Sequence, residues 1–588
     1  MNKKVLFVLI FFFVNPIFAQ TEREQEIQRK SARDQLSQRG EVYFSFKVKD
    51  RDVLNKLSRI ISIDKIDTMG KAFAYANRKG FDEFLKFLIE PSVLTPPSML
   101  EEHTMLDVQS YRTKAANSKE NFWNTYPSYE TYIAMMSDFQ SNFPFLCEVV
   151  EIGTTVQNRK LLACKITSND SVSEAGNGSK ADGRKVKIFY SSTMHGDETT
   201  GYVLMLRLID YLLNNYAEDA RIKNILDNAE IWICPNANPD GTYRTGNGNV
   251  TGATRYNTNS VDLNRNYKDD LYGDHPDGER WQLETRAFMA FQAEQKFHLA
   301  MNIHGGAEVC NYPWDNKYTL TADDDWWKFV CKEYVDTARI YRSSYMKDVT
   351  NSGITNGADW YVITGSRQDY ANYYNRCREF TLEISTIKTL SASNLPNYWN
   401  YNYRSFLNFM EQGLYGIHGR VADLETGFPL QCEVRIEGHD DASSYIYSDS
   451  NSGYYARPIK GGVYTVSYTA DGYETETREI TISDRQRVVE DIELKRKTVD
   501  MASLAGISCR TVRVYPNPAK DIINIEAEST IKKVEITDMF GKRVFSQFFL
   551  VQEAQDKVSI KTDFIKSGMY LIRLHFDNGY SSSKVVIL

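Results

Sequence analysis

The sequence predicts an α/β protein. A mixed, mostly parallel central sheet with helices on both faces is joined to a small N-terminal α+β unit and two small C-terminal β-sandwich domains. Three observations predict this. Four apolar runs, at 186–191, 231–234, 299–303 and 380–382, each end in polar or glycine residues. Helix-like segments at 202–215 and 281–296 lie between them, and strand alternating with helix argues a parallel sheet with covered faces. Beyond Gly416 the period shortens to alternating strands separated by glycine turns, the pattern of β-sandwiches.

The 588 residues suggest roughly three to five domains. The net charge of -7 is modest for this length, and no basic block is present, which argues against a nucleic-acid partner. Lys3, Lys4, the apolar run at 5–14 and Ile17-Phe18-Ala19 read as a secretory signal peptide over 1–19, too short to span a bilayer. No later run is long enough to serve as a transmembrane anchor. Eight cysteines, with no CxxC pair, predict buried thiols with at most one or two bridges.

Residues 20–117 form the N-terminal region. Its first part, 21–40, is polar and reads as a solvated leader. Residues 42–48 alternate like a strand, 52–60 are helix-like, 72–76 suggest a second strand, and 81–89 carry helical spacing. Pro91, Pro96 and Pro97 then break the chain. The main α/β block covers 118–415, with Tyr126-Pro127-Ser128-Tyr129-Glu130 placed to cap a helix through Phe139. A β-sandwich is expected over 416–496, a linker over 497–509, and a second β unit over 510–588.

The chemistry starts at Met194-His195-Gly196-Asp197-Glu198, where a strand hands over to a helix. His195 and Glu198 can turn toward one ion, and zinc in a hydrolase takes three protein ligands and leaves one position open. His304 ends another apolar run before Gly305-Gly306 and supplies the third. Glu383 ends the last run, where a buried carboxylate is costly unless it is paired or used, and it can serve as general base. Arg255 can stabilise an oxyanion, Asn264 and Arg265 can hold a carboxylate, and Asp262 can accept a hydrogen bond from a ligating histidine.

These motifs together resemble the zinc carboxypeptidase family, closest to its regulatory branch (the carboxypeptidase D/E/N/M type), over roughly 120–500. His195-Gly196-Asp197-Glu198 resembles its HxxE ligand motif. Asn302-Ile303-His304-Gly305-Gly306 with Asn311-Tyr312-Pro313-Trp314-Asp315 resembles its second ligand segment. Arg255-Tyr256 with Val261 to Asn266, the loop carrying Tyr361, Gln368-Asp369-Tyr370, and Phe380 to Glu383 complete five ordered motifs. The resemblance implies one zinc ion on His195, Glu198 and His304. It implies Glu383 activating the water, Arg255 polarising the scissile carbonyl, Asn264 and Arg265 on the terminal carboxylate, and Tyr361 closing over substrate. Asp315, supported by Gln368, then favours C-terminal Lys or Arg. Two positions depart from the branch: Glu308 adds an acid near the expected pocket, and Ser366-Arg367 stand where the branch has Gly-Met. An inward-pointing Arg367 would oppose a basic side chain.

The sandwich at 416–496 resembles the transthyretin-like domain of that branch, with folding support or docking as its role. The block at 510–588 resembles the C-terminal sorting domain of type IX secretion. Its motifs are Val514 to Ala519, Asp538 to Lys542 and Ser567 to Arg573. That implies the secretion machinery as a partner and a secreted or surface-exposed product. The N-terminal region is either a pro-segment or a docking module. The expected function is a secreted zinc metallocarboxypeptidase acting on peptide and protein C-termini. The alternatives are an amidase or peptidase of the same fold acting on cell-wall peptides, and a non-catalytic zinc-containing surface binder.

Overall fold

The computed structural model describes residues 23–67, 69–117, 122–168, 185–441, 443–497, 512–538, 543–548, 555–576 and 579–588. It divides into two compact units, one running to Arg496 and one from Lys497. The expected signal peptide, nearly all of the expected linker, and Met539 to Lys542 of the sorting motif lie outside the described residues. Among the described residues no helix is long and apolar enough to cross a membrane.

The run at 21–40 is not a solvated leader. Its described part forms a helix, 23–39. A narrow stripe of Ala32 and Leu36 is buried in the first core, beside Phe44, Leu54 and Phe84. Polar residues at the edge of this stripe replace further apolar ones: Gln35 accepts from the Tyr43 amide and donates to the Leu94 carbonyl, and Gln28 accepts from the Val93 amide. The composition therefore looked exposed although the helix is docked.

Four antiparallel strands complete this N-terminal part: β1 (Val42–Lys47), β2 (Ser62–Ile66), β3 (Lys71–Ala76) and β4 (Ser92–Val93), in the order β2-β3-β1-β4. Strand β2 has one free edge, and its register with β3 slips between Ile63 and Lys65, which leaves Asp64 at a bulge. Helices Arg51–Leu57 and Arg78–Leu85 pack Leu54, Leu57, Phe81 and Phe84 into the same core. The helix Val108–Asn117 belongs elsewhere, since its Tyr111 joins the core of the large sheet.

The large sheet has eight strands: β5 (Cys147–Thr154), β6 (Lys160–Ile166), β7 (Val186–Ser192), β8 (Ala229–Cys234), β9 (Leu299–His304), β10 (Glu308–Tyr312), β11 (Ile354–Asn356) and β12 (Arg378–Ile384). Their order is β11-β10-β12-β9-β7-β8-β6-β5. Pairs β7/β8, β7/β9, β9/β12 and β10/β11 are parallel and the other three antiparallel, a mixed and mostly parallel sheet.

Successive strand residues point to opposite faces. Ile188, Tyr190, Met301, Phe380 and Leu382 meet helices Tyr129–Asn142, Thr200–Asn215, Asp324–Arg339 and Leu395–Gln412 on one face. Phe189, Trp232 and Ala300 meet helices Leu283–Gln295 and Arg367–Tyr374 on the other. Ser128 caps the first of these helices by accepting from the Thr131 amide. Seven cysteines among the described residues are free and buried, with the Cys147 and Cys164 sulfurs 3.1 Å apart.

The sandwich from Gly416 packs its own core of Ile417, Val434, Val466 and Ile480. It joins the large sheet through a buried ion network: Arg457 reaches Asp323 (2.8 and 3.1 Å) and Asp440 (2.6 Å), and Arg378 reaches the same Asp323 at 2.8 Å. Removing one partner of a buried pair leaves an uncompensated charge. Arg457→Ala is therefore expected to destabilise this unit by about 3–5 kcal/mol, seen as a lower unfolding midpoint in calorimetry. The second unit is a separate sandwich with a core of Ile523, Ile536, Ile572 and Val585.

Candidate active site

The site lies beyond the carboxyl ends of β7, β9 and β12. After β7 the chain turns sharply, so that His195 and Glu198 precede the helix Thr200–Asn215. Gly196 is required there, because a Cβ would come within 2.3 Å of the Gly241 carbonyl carbon. Strands β9 and β12 are parallel, with His304 paired in register to Glu383. Asn302, two residues before His304, faces the same way.

Three donor residues converge. His195 Nδ1 lies 2.9 Å from Glu198 Oε1, His304 Nδ1 lies 2.9 Å from Glu198 Oε2, and the two Nδ1 atoms are 3.1 Å apart. Tetrahedral zinc with bonds of about 2.0–2.1 Å sets its donors roughly 3.3 Å apart, so this set closes around one zinc ion with little movement. The far sides of both imidazoles are held: His195 Nε2 is 3.0 Å from Asp262 Oδ1, and His304 Nε2 is 2.8 Å from the Asn302 amide. Such contacts fix the ring that faces a metal. Burial lowers the His304 pKa to about 4, which keeps its donor lone pair available.

Charged groups crowd this centre. Arg255 binds Asp262 through Nε (3.1 Å) and Nη2 (3.0 Å), and its Nη1 is 3.3 Å from Glu198. Burial pushes Asp262 up, but the charges of Arg255 and His195 outweigh it and hold the carboxyl well below the usual range. Glu383 is half-buried, and its Oε2 is buried with no hydrogen-bond partner among the described residues. Burial and the nearby Glu198 charge raise its pKa well above the ordinary value. Arg265 donates Nη1 to the Asn264 carbonyl at 2.8 Å, while its Nε has no partner among the described residues.

Asp315 closes one end of the same cavity. Its Oδ1 accepts from Asn311 (3.0 Å) and from Gln368 Nε2 (3.1 Å), while Gln368 Oε1 accepts from the Thr381 amide. Gly357 lies against this carboxylate, where a Cβ would fall 2.0 Å from Oδ1. Burial raises the Asp315 pKa. Tyr361 lines the cavity, with its hydroxyl donating to the Ile63 carbonyl at 3.3 Å.

The two departures from the family pattern point away from this cavity. Arg367 is fully buried, pairs with Glu379 at 2.9 and 3.1 Å, donates to Ser191, and lies over the Phe189 and Phe288 rings. Glu308 accepts from Tyr398 and from the Met346 amide on the other side of the sheet edge. Neither lines the cavity.

Two charged residues at the centre, Lys388 and Asp64, were not anticipated. Lys388 Nζ is 2.5 Å from Glu198 Oε1 and 3.1 Å from Asp64 Oδ1. Burial would lower its pKa, but Asp197, Asp64 and Glu198 hold it well above the usual lysine range. Asp197 is buried with both carboxylate oxygens unpartnered among the described residues. Nothing along the chain marks Asp64, whereas Asn302 was accessible from its two-residue spacing to His304.

The model of the zinc carboxypeptidase family matches residues 132–405, and that of the secretion system C-terminal sorting domain matches 513–588. Carboxypeptidase SOL1 of Arabidopsis thaliana is 31% identical over 383 residues, covering 64% of this chain and 73% of that protein. Carboxypeptidase M of Mus musculus is 30% identical over 400 residues, 65% of this chain and 87% of that protein. Carboxypeptidase D of Anas platyrhynchos is 30% identical over 426 residues, 69% of this chain. The match spans only 28% of that carboxypeptidase D.

Proposed function

The chain belongs to the zinc carboxypeptidase family, with regulatory-type relatives, and from that premise we propose that it is a zinc metallocarboxypeptidase. It hydrolyses the last peptide bond of peptides and proteins and prefers C-terminal Lys or Arg. The observation that carries this reading is the cavity that joins the His195, Glu198 and His304 donors to Glu383, Arg255, Arg265 and Asp315.

His195, Glu198 and His304 would hold the ion, with Asp262 and Asn302 orienting the two imidazoles. A zinc ion held there would supply Lewis acidity toward the attacking water and the scissile carbonyl. Glu383 takes a proton from that water as the new C–O bond forms, then gives it to the leaving nitrogen as the C–N bond breaks. Arg255 faces the oxygen that gains negative charge. The guanidinium of Arg265, with Asn264 beside it, receives the terminal carboxylate. Tyr361 closes over the bound residue. A basic side chain pairs with Asp315, which Gln368 and Asn311 keep oriented.

Purified zinc-loaded protein should release free arginine from a peptide ending in Arg, and a chelator should stop release and lower the bound-zinc content together. Absence of release with zinc bound would refute the reading. The sorting domain supports export by type IX secretion, with the N-terminal 1–19 as signal peptide, to the cell surface or medium. A tagged chain expressed in a type IX-competent host should be found outside the outer membrane, and deletion of 513–588 should retain it inside.

A further inference from the structure

The metal donors and Glu383 stand at the carboxyl ends of the parallel strands. The amino ends of the same strands carry a second cavity of about 540 Å³, with walls from both the large sheet and the sandwich. Its volume lies within the range of about 300–1,000 Å³ usual for ligand sites. A strand of six residues at about 3.3 Å each sets it roughly 20 Å from the metal donors. None of its lining residues lines the cavity described above.

Three polar groups on its floor lack the partners that their neighbours could supply. Lys187, the second residue of β7, and Glu230, the second residue of β8, are register partners on adjacent parallel strands. Their side chains leave the same face of the sheet. Yet no ion pair joins them. Among the described residues Glu230 reaches Lys165, at 3.8 Å, and the Lys187 ammonium has neither hydrogen bond nor ion pair. His298, just before β9, lies on the other side of Lys187. Its amide donates to the Lys187 carbonyl at 2.9 Å, and its Nδ1 accepts from the Lys187 amide at 3.1 Å. Burial and the Lys187 charge lower the His298 pKa to about 4, so the ring is neutral. An accepting Nδ1 then puts the ring proton on Nε2. That Nε2 has no partner among the described residues, while the Tyr454 ring packs edge-on to the imidazole at 5.6 Å.

Other charges of the lining are committed. Lys296 and Asp449 pair at 3.0 Å. Arg376 lies over the Tyr373 and Tyr445 rings and donates to the Tyr445 hydroxyl. What the floor offers a ligand is therefore one compact set: two donors, Lys187 and His298, beside one acceptor, Glu230. Glu230 repels a polyanion and Lys187 repels a plain cation. A molecule with one carboxylate and one ammonium satisfies both, since charge-assisted hydrogen bonds to a carboxylate are the strong ones. Adjacent strands are about 4.8 Å apart and two extended residues span at most about 7 Å, so the two ends of a dipeptide match this spacing. Tyr447, 45% exposed, adds a ring face for one of its side chains.

We infer that this cavity is a second, non-catalytic binding site for dipeptides with free ends, which holds the carboxylate on Lys187 and His298 and the ammonium on Glu230.

The test is calorimetry on the zinc-loaded full-length chain with glycyl-tyrosine, its N-acetyl form and its C-terminal amide. The parent should bind the free dipeptide one to one, and each block should weaken binding about tenfold or more. Lys187→Ala should weaken binding of the free dipeptide about 10- to 100-fold, after which amidation should cost nothing further. Glu230→Gln should do the same for acetylation, and Lys187→Arg, which keeps the charge, should bind like the parent. Both side chains are partly exposed, so the variants should keep the parent's unfolding midpoint. Should Lys187→Ala fold poorly, Glu230→Gln against acetylation decides alone. Blocks that cost as much in the variants as in the parent would place the dipeptide elsewhere, the catalytic centre included, and overturn the inference. Absence of binding at millimolar dipeptide also overturns it. So does binding of digalacturonate in place of the dipeptide, dependent on Lys187 but not on Glu230, which would make the ligand an acidic sugar.

Discussion

Glu383→Gln is expected to leave a chain that folds, keeps its zinc and binds substrate, yet turns over about 10²–10⁴-fold more slowly. The amide has the same shape as the carboxyl but cannot accept and return a proton. The position makes the expectation sharp. Glu383 pairs in register with His304 across two parallel strands, and its Oε2 is buried with no hydrogen-bond partner among the described residues. A carboxylate kept for structure would have a hydrogen bond to lose, and its replacement would shift the unfolding midpoint more than the rate. The measurement is kcat and KM on one peptide, with zinc content and unfolding midpoint on the same samples. A near-normal kcat removes Glu383 from the mechanism.

Asp315→Asn is expected to cost about 2–4 kcal/mol in kcat/KM on peptides ending in Arg, roughly 30- to 1,000-fold, with little change on peptides ending in Phe. The loss is that of one partner of a buried charge pair, while shape is preserved. Asn can still accept from Asn311 and Gln368, so the pocket should keep its form. Arg367→Met is the contrasting variant. That guanidinium is bound to Glu379 inside the sheet, so its loss should lower stability and leave the preference for Arg over Phe unchanged. A preference for Arg that survives Asp315→Asn would place the specificity elsewhere in the cavity.

Much of this site was legible because its parts obey local rules. A strand that ends in His or Glu and gives way to a glycine turn or a helix declares its exposed end, and His195, His304 and Glu383 sit at three such ends. The spacing of Asp262, Asn264 and Arg265 is equally local, since Asp262 caps the short helical turn Leu263–Arg265. Arg367 and Glu308 misled because sequence gives neighbours along the chain but not the face on which a side chain falls. Lys388 was invisible for a related reason: it follows β12 in an ordinary loop, and its partners Asp64 and Glu198 come from distant segments. The helix 23–39 was hidden because its buried stripe is narrow. Strands β5 and β6 were missed as well; their register slips between Glu151 and Gly153, which blurs the alternation that marks a strand.

The pairing of His304 with Glu383 has a consequence for how this chain can change. Their separation is set by the spacing of adjacent strands, about 4.8 Å, and by the hydrogen-bond ladder between them. It does not depend on how many residues join β9 to β12. Insertions or deletions in the surface loops between 313 and 353 can therefore remodel the rim of the cavity while metal donor and base keep their distance. A single-residue slip of β12 against β9 would turn Glu383 to the opposite face and end catalysis at once. Length variation should collect in those loops, and the two strands should tolerate substitution but not a change in length.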